Sequence, residues 1–293
     1  KTSENAGSGI YQIEQEVRVP LQTPEHAIHI VGFAKQIGDI ADGAKGVLVF
    51  FALAIVLTAL SVYWYCRSVS LTLLALGCSM VSVIWQFGTL RLLGFGLDPL
   101  AILVPFLVFA IGVSHGIQQI NAIAKALASG AHPMAAAKAS FTGLFIPGSL
   151  ALVTAFVGFI TLIIIPIPMI RELSIAASIG VGYKIVTNLI MLPLVASYIQ
   201  FPSTYAQQQE ALQNQRSRLV EKLGWMAELR NVRYVMALTA VLFGVAVWQS
   251  QGRHIGALQA GAPELRSESR YNQDIDAIVQ RFDLGMEVLT VVF

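Results

Sequence analysis

The stretch GVSHG, residues 112–116, places a serine and a histidine near the end of the apolar run PLAILVPFLVFAIGVSHG. A second run, GVGYKIVTN, carries Lys184 among apolar residues, with Thr187 and Asn188 three and four positions on. An ionisable side chain inside a membrane span is costly and marks a functional position by default. Imidazole is the side chain whose charge changes nearest neutral pH, so His115 and Ser114, with Lys184 and Asn188, are candidates for a proton or ion relay. Hydrogen bonding between helices, with nothing moved, is the other chemistry open to them. Gly112 and Gly116 flank the Ser-His pair, and Gly180 and Gly182 precede Lys184. Small residues let helices approach closely, so these four glycines are expected at helix contacts. His115 and Lys184 lie roughly 24 Å and 21 Å along their helices, which puts them at similar depth. Two cations cannot pair, so either one is neutral or a carboxylate from elsewhere meets them.

Other chemistry is poorly supplied. Asp98-Pro99 reads as a helix N-cap followed by Pro at the first helical position. Arg171-Glu172 reads as an interfacial pair, and Gln86 and Arg91 as residues facing headgroups near a span's outer end. His26, His29 and His254 lack the spacing of a zinc site. No phosphate-binding loop pattern is present. Ser114 and His115, adjacent on a helix, point about 100° apart and make no nucleophile–base pair. The expectation is a protein that is not an enzyme, with no metal, cofactor or nucleic acid partner. Cys66 and Cys78 fall in or beside apolar runs and read as small membrane residues rather than a disulfide.

The elements that hold these residues follow from composition. Of 293 residues, 55% are hydrophobic and 12% charged, against about 25% charged in a soluble domain. Between Lys45 and Glu210 the only acids are Asp98 and Glu172. Six runs approach the roughly 20 residues needed to span a bilayer: 46–66, 71–93, 99–117, 143–165, 170–199 and 234–248. One set of connections holds Arg67, Lys125, Lys138, Arg216, Arg218, Lys222 and Arg230, and the alternate set has Arg171 as its clear basic residue. The basic set is therefore expected on the cytoplasmic side, with 1–45 and 250–293 outside. Residues 120–142, Ala-rich and mildly amphipathic, are expected along the inner face. Residues 205–230 place Leu212, Leu219, Leu223 and Met226 on one face of an interfacial helix. Outside, YQIEQEVRV alternates like a strand, 25–43 reads as a helix, 267–282 as a helix capped by Ser267 or Ser269, and EVLTVVF as a strand. The chain starts at Lys1 without a signal-peptide pattern and ends in that apolar run, which reads as an internal piece of a longer protein.

The segments GFGLDPLAILVPFLVFAIGVSHGIQQINA and VGFITLIIIPIPMIRELSIAASIGVGYKIVTNLIMLPLVASYI give the chain a resemblance to the resistance–nodulation–division (RND) transporter superfamily. Within it, the chain resembles the MMPL-type exporters of lipids and other hydrophobic molecules. The most specific phrase is 157–193, and the likeness covers nearly the whole chain. The resemblance implies an all-α membrane bundle with truncated α+β extracytoplasmic (porter) segments at both ends. It implies the end of a first porter domain at 1–45 and a five-span bundle like a sterol-sensing domain at 46–199. A cytoplasmic amphipathic linker helix would occupy 200–232, a sixth span 233–249, and the start of a second porter domain 250–293. It also implies a bacterial inner-membrane location, proton antiport, a hydrophobic or lipid-like substrate in contact with the bilayer, and a periplasmic adaptor or homo-oligomer as partner. Such exporters usually carry Asp at the position aligned with Ser114 and often Tyr where His115 stands. His115 replacing that acid, a relay lying in another half of the protein, and lost coupling all stay open. A sterol- or lipid-sensing protein that binds without pumping is the rival reading, and an accessory of protein translocation ranks last.

Overall fold

The computed structural model describes residues 12–23, 25–96, 101–252 and 261–282. Every regular element among them is helical. Six helical stretches are long and apolar enough to cross a membrane: Gly46–Cys66, Val69–Leu92, Ala101–Ala128, Pro133–Ile164, Pro168–Ala196 and Asn231–Ser250. In a bilayer the helix is the only open-chain form that satisfies its own backbone, so long apolar runs leave the local fold little choice.

The chain forms two units, Phe50–Val235 and Lys1–Val49 with Met236–Phe293. The first unit is the bundle. Helix α1 (Phe33–Cys66) brings in the first span, and α2 (Val69–Leu92) turns back after Arg67, which takes a left-handed φ of 51°. Ser68 caps α2 by accepting a hydrogen bond from Leu71 N at 3.4 Å. Helices α3 (Val104–Ala128) and α4 (Pro133–Thr161) are joined by a short turn through Gly130, at φ 87°. Residues 120–142, expected along the inner face, lie within α3, α4 and the turn between them. They are the facing ends of two long helices, zipped by buried Ile120, Ile123, Ala136 and Ala137. Ser140 Oγ donates to the Gln119 carbonyl at 3.1 Å in that seam. Small side chains there are packing surface, which mimics mild amphipathicity in sequence.

Helix α5 (Pro168–Lys184) opens with Pro at its first position, runs into a π-helical stretch at Ile185–Met191, and ends as α6 (Leu192–Ala196). Helices α2, α3 and α5 form the centre of the bundle, while the α1 span and α4 expose most of their side chains. Gly180 sets how closely the central helices meet. A Cβ there would collide with Val108 and lie 3.0 Å from Gln86 Cδ. Gly180→Leu is therefore expected to cost at least about 3 kcal/mol by overpacking, read as loss of the folded band in fluorescence-detected size exclusion. Normal yield and melting temperature would refute this close approach.

Helix α7 (Ser203–Leu223) does not float free. Its Tyr205 hydroxyl and Gln209 Nε2 donate to the Cys66 carbonyl at 3.3 and 2.7 Å, and Arg216 donates to the Tyr65 carbonyl. Carbonyls at a helix C-terminus lack intrahelical donors, and α7 supplies them for α1. Burial, followed by the Cys66 sulfur nearby, pushes the Tyr205 phenol well above its usual range.

The second unit holds both terminal segments. Ile13, Val17 and Val19 were expected on a strand, but Glu14–Arg18 is a π-helical turn continued by Val19–Leu21. Alternation this short does not exclude a helix, and ion pairs to α1 decide it. Glu14 bridges Arg18 at 3.0 Å and Lys35 at 3.1 Å. Burial would depress the Lys35 ammonium, but Asp39, at 2.6 Å, and Glu14 outweigh it and hold it above its ordinary value. The helix expected from residue 25 begins at Phe33. Helix α8 (Leu229–Ser250), whose last fifteen residues belong to this unit, exposes nearly all of its side chains. Helix α9 (Arg270–Phe282) forms as expected, with Ser269 Oγ accepting from Asn272 N at 3.4 Å. The expected strand EVLTVVF and the Asp98-Pro99 cap lie outside the described residues.

Candidate functional site

The polar residues of the spans sort into two places. One is inside the bundle. Lys184 ends α5 with its side chain fully buried, and its Nζ donates to the Ser79 carbonyl of α2 at 3.2 Å. Asn188, one turn on, donates from Nδ2 to the Gly112 carbonyl of α3 at 2.6 Å. Thr187 Oγ1 lies 3.0 Å from Asn188 Oδ1, which it donates to. Ser82 Oγ donates to the same Ser79 carbonyl at 2.8 Å. Three helices thus meet at one buried amine.

Gly112 makes the meeting possible. A Cβ there would overlap the Lys184 ammonium and lie 2.7 Å from Ser79 Oγ. Gly116 sits 3.1 Å, by the same measure, from Ala75 Cβ. A Cβ added at Gly182, by contrast, would meet nothing within 4 Å, so no close approach requires glycine there. The π-helical stretch begins right after Lys184. Such irregularity is frequent at functional sites, and here Lys184 just before it reaches α2 while Asn188 within it reaches α3.

The other place is a face of α3. Ser114 is exposed and His115 half-buried, with His115 Nδ1 donating to its own helix at the Ile111 carbonyl, 3.0 Å away. Gln118 and Asn121 are exposed as well. Ser114, Gln118 and Asn121 recur at helical spacing, so they form a polar stripe on a membrane-length helix. The Tyr65 hydroxyl of α1 donates to Asn121 Oδ1 at 3.2 Å. His115 and Lys184 stand at one level, since Gly112 is less than a turn from His115. They are on different sides of α3, and the structure does not bring them together.

Several polar residues of the interior escaped the sequence reading. Gln86, expected to face headgroups, is buried and donates to the Ala176 carbonyl at 2.9 Å. Ser79, Ser82 and Gln86 follow one another at three and four residues, a helical stripe that the sequence did contain. Side-chain atoms Ser79 Oγ, Gln86 Oε1 and Ser178 Oγ are buried without a protein partner. Buried polar atoms of this kind are normally met by water or an ion. Cys66 and Cys78 are free and buried.

Chemically, the interior site offers one titratable nitrogen, neutral donors and acceptors, and, among the described residues, no carboxylate. It can hold or pass a proton, or fix three helices in register.

No family profile matches the chain. Curated relatives include proteins named "Multidrug resistance protein MdtC". The protein of that name from Yersinia pseudotuberculosis serotype O:3 (strain YPIII) is 26% identical over 234 residues, 71% of this chain. Those from Yersinia enterocolitica serotype O:8 and Yersinia pestis bv. Antiqua (strain Angola) are also 26% identical over the same share. The chain spans about a fifth, 22%, of the length of these relatives. Six membrane-length helices and this likeness agree with the motifs of residues 94–122 and 157–199: the chain is similar to a segment of an RND-type efflux transporter.

Proposed function

We propose that the chain is part of an inner-membrane transporter that exports a hydrophobic or amphipathic substrate by proton antiport. The observation that carries this reading is Lys184, wholly buried at membrane depth and held by α2 beside the α3 carbonyl that Asn188 engages. A group so costly to bury is worth keeping where its protonation state is used. The polar stripe of Ser114, His115, Gln118 and Asn121 gives a second polar surface, on the exposed face of α3. The Lys/Arg distribution supports a periplasmic side for the α2–α3 turn and both terminal segments. A lipid-like substrate rests on the resemblance to MMPL-type exporters, and a periplasmic adaptor or a homo-oligomer on the likeness to RND proteins. No step of this reading requires catalysis.

A lipid or sterol sensor that binds without pumping is favoured by one observation, the lack of any acid between Lys45 and Glu210 other than Asp98 and Glu172. The test is efflux of an amphipathic dye from cells making the full-length protein, before and after an uncoupler collapses the proton gradient. Efflux that stops with the gradient supports antiport. Dye binding with no efflux in either condition supports the sensor.

A further inference from the structure

An apolar groove of about 730 Å³ runs between α1 and α3 on the outside of the bundle. Leu57, Leu60, Ser61, Trp64 and Tyr65 of α1 line it with Ile117 of α3. Leu57, Ser61 and Tyr65 recur every four residues, so the groove follows the helix for about 12 Å. Leu57, Leu60 and Trp64 stay exposed there, at 55%, 61% and 70%. At its end the groove is closed by polar and aromatic groups. The Tyr65 hydroxyl reaches across to Asn121, and the Arg216 guanidinium of α7 lies 4.0 Å over the Tyr65 ring.

That end is cationic. Arg67 follows Cys66 at the α1–α2 turn and is exposed. Lys125, four residues past Asn121 on the same exposed face of α3, points the same way along the helix. Arg216 is the third cation. Among the described residues, the acid adjoining the Gln209 that caps α1 is Glu210, whose side chain is exposed. Basic pockets between spans on the cytoplasmic side suit anionic headgroups, and Trp64 with Tyr65 suits the interface between tails and headgroups.

We infer that this groove binds one anionic phospholipid of the inner leaflet, with an acyl chain between α1 and α3 and its headgroup at Arg67, Lys125 and Arg216. The inference rests on the cytoplasmic placement of the basic end, not on transport. Charge chooses the occupant. A helix from elsewhere in the protein would fill the apolar slot equally well, but would have no use for three cations at its mouth. The lipid would brace α1, which α7 holds at the same end through Cys66 and Tyr65.

The experiment uses the full chain, taken from nanodiscs with equal phosphatidylglycerol and phosphatidylethanolamine, and native mass spectrometry to count retained lipid. Wild type is expected to keep phosphatidylglycerol in preference. Lys125→Gln with Arg67→Asn should weaken that retention roughly fivefold for each cation removed; Asn is chosen because it tolerates the left-handed backbone of residue 67. Ser61→Phe, at an exposed position, should fill the groove and abolish specific retention while the melting curve in detergent stays cooperative. Equal retention of both lipids, or undiminished phosphatidylglycerol in these variants, overturns the inference. So does a photocrosslinker on Ser61→Cys that captures another segment of the protein or a second copy instead of lipid. Uncoupler-sensitive efflux can persist in all these outcomes, so this test and the transport test fail separately.

Discussion

Lys184→Met is expected to reduce gradient-driven dye efflux to the level of cells lacking the protein, with normal amounts of folded protein in the membrane. Methionine keeps the length and flexibility of the lysine stem, so the space beside Gly112 stays filled. It removes only the nitrogen that donates to the Ser79 carbonyl. Replacing a buried charged or polar group by an apolar one of similar volume is often neutral or stabilising, and this separates loss of coupling from loss of fold. His115→Ala is expected to lower efflux less than Lys184→Met does. Its ring bonds back to Ile111 of its own helix and lies off the three-helix junction. The reverse ranking would move the coupling group to the α3 stripe and leave Lys184 as a helix fastener. Thr187→Val with Asn188→Leu offers a further check. These changes remove the link to the Gly112 carbonyl without touching the amine, so a purely structural role for Lys184 would make them equally damaging.

Asp274→Ala is expected to destabilise the second unit by about 3–5 kcal/mol, the usual cost of removing one partner from a buried ion pair. Asp274 is 1% exposed, pairs with Arg18, and lies 3.0 Å from His29 Nδ1. The Ile30 amide donates to it at 3.2 Å, and Arg270 approaches to 3.4 Å. Without the carboxylate, Arg18, itself buried, keeps only Glu14 as an ionic partner among the described residues. Hydrogen exchange across 12–31 and 262–282 should rise together, because this one side chain ties the two sequence-distant segments. Asp274→Asn, which keeps an acceptor for the Ile30 amide, should cost less. Unchanged exchange in the alanine variant would show that Ala262, Tyr271 and Ile275, the small apolar cluster beside it, suffice to hold the unit.

The spans and the amphipathic helix over 270–282 were legible in the sequence. The reason is local: about 20 apolar residues, or apolar residues at helical spacing, carry the signal within themselves. The strand expected at 11–19 is replaced by helix over 12–19 because so short an alternation is decided by partners, here Lys35 and Asp274, far along the chain. The polar residues of GVSHG and GVGYKIVTN were visible as types and as depths. Their sides were not. The central helices are apolar nearly all round, so their pattern does not say which face meets which neighbour.

Sequence alone therefore determined that Lys184, Asn188, Ser114 and His115 lie within membrane-length helices at similar height. Only the tertiary structure decided that Lys184 and Asn188 join Ser79 and Gly112 inside the bundle, and that Ser114 and His115 stay on its outer face. The physical cause is steric. The Gly112 and Gly180 clearances let α2, α3 and α5 close around the lysine, and a contact between three helices is a property of their packing that no single stretch of sequence encodes.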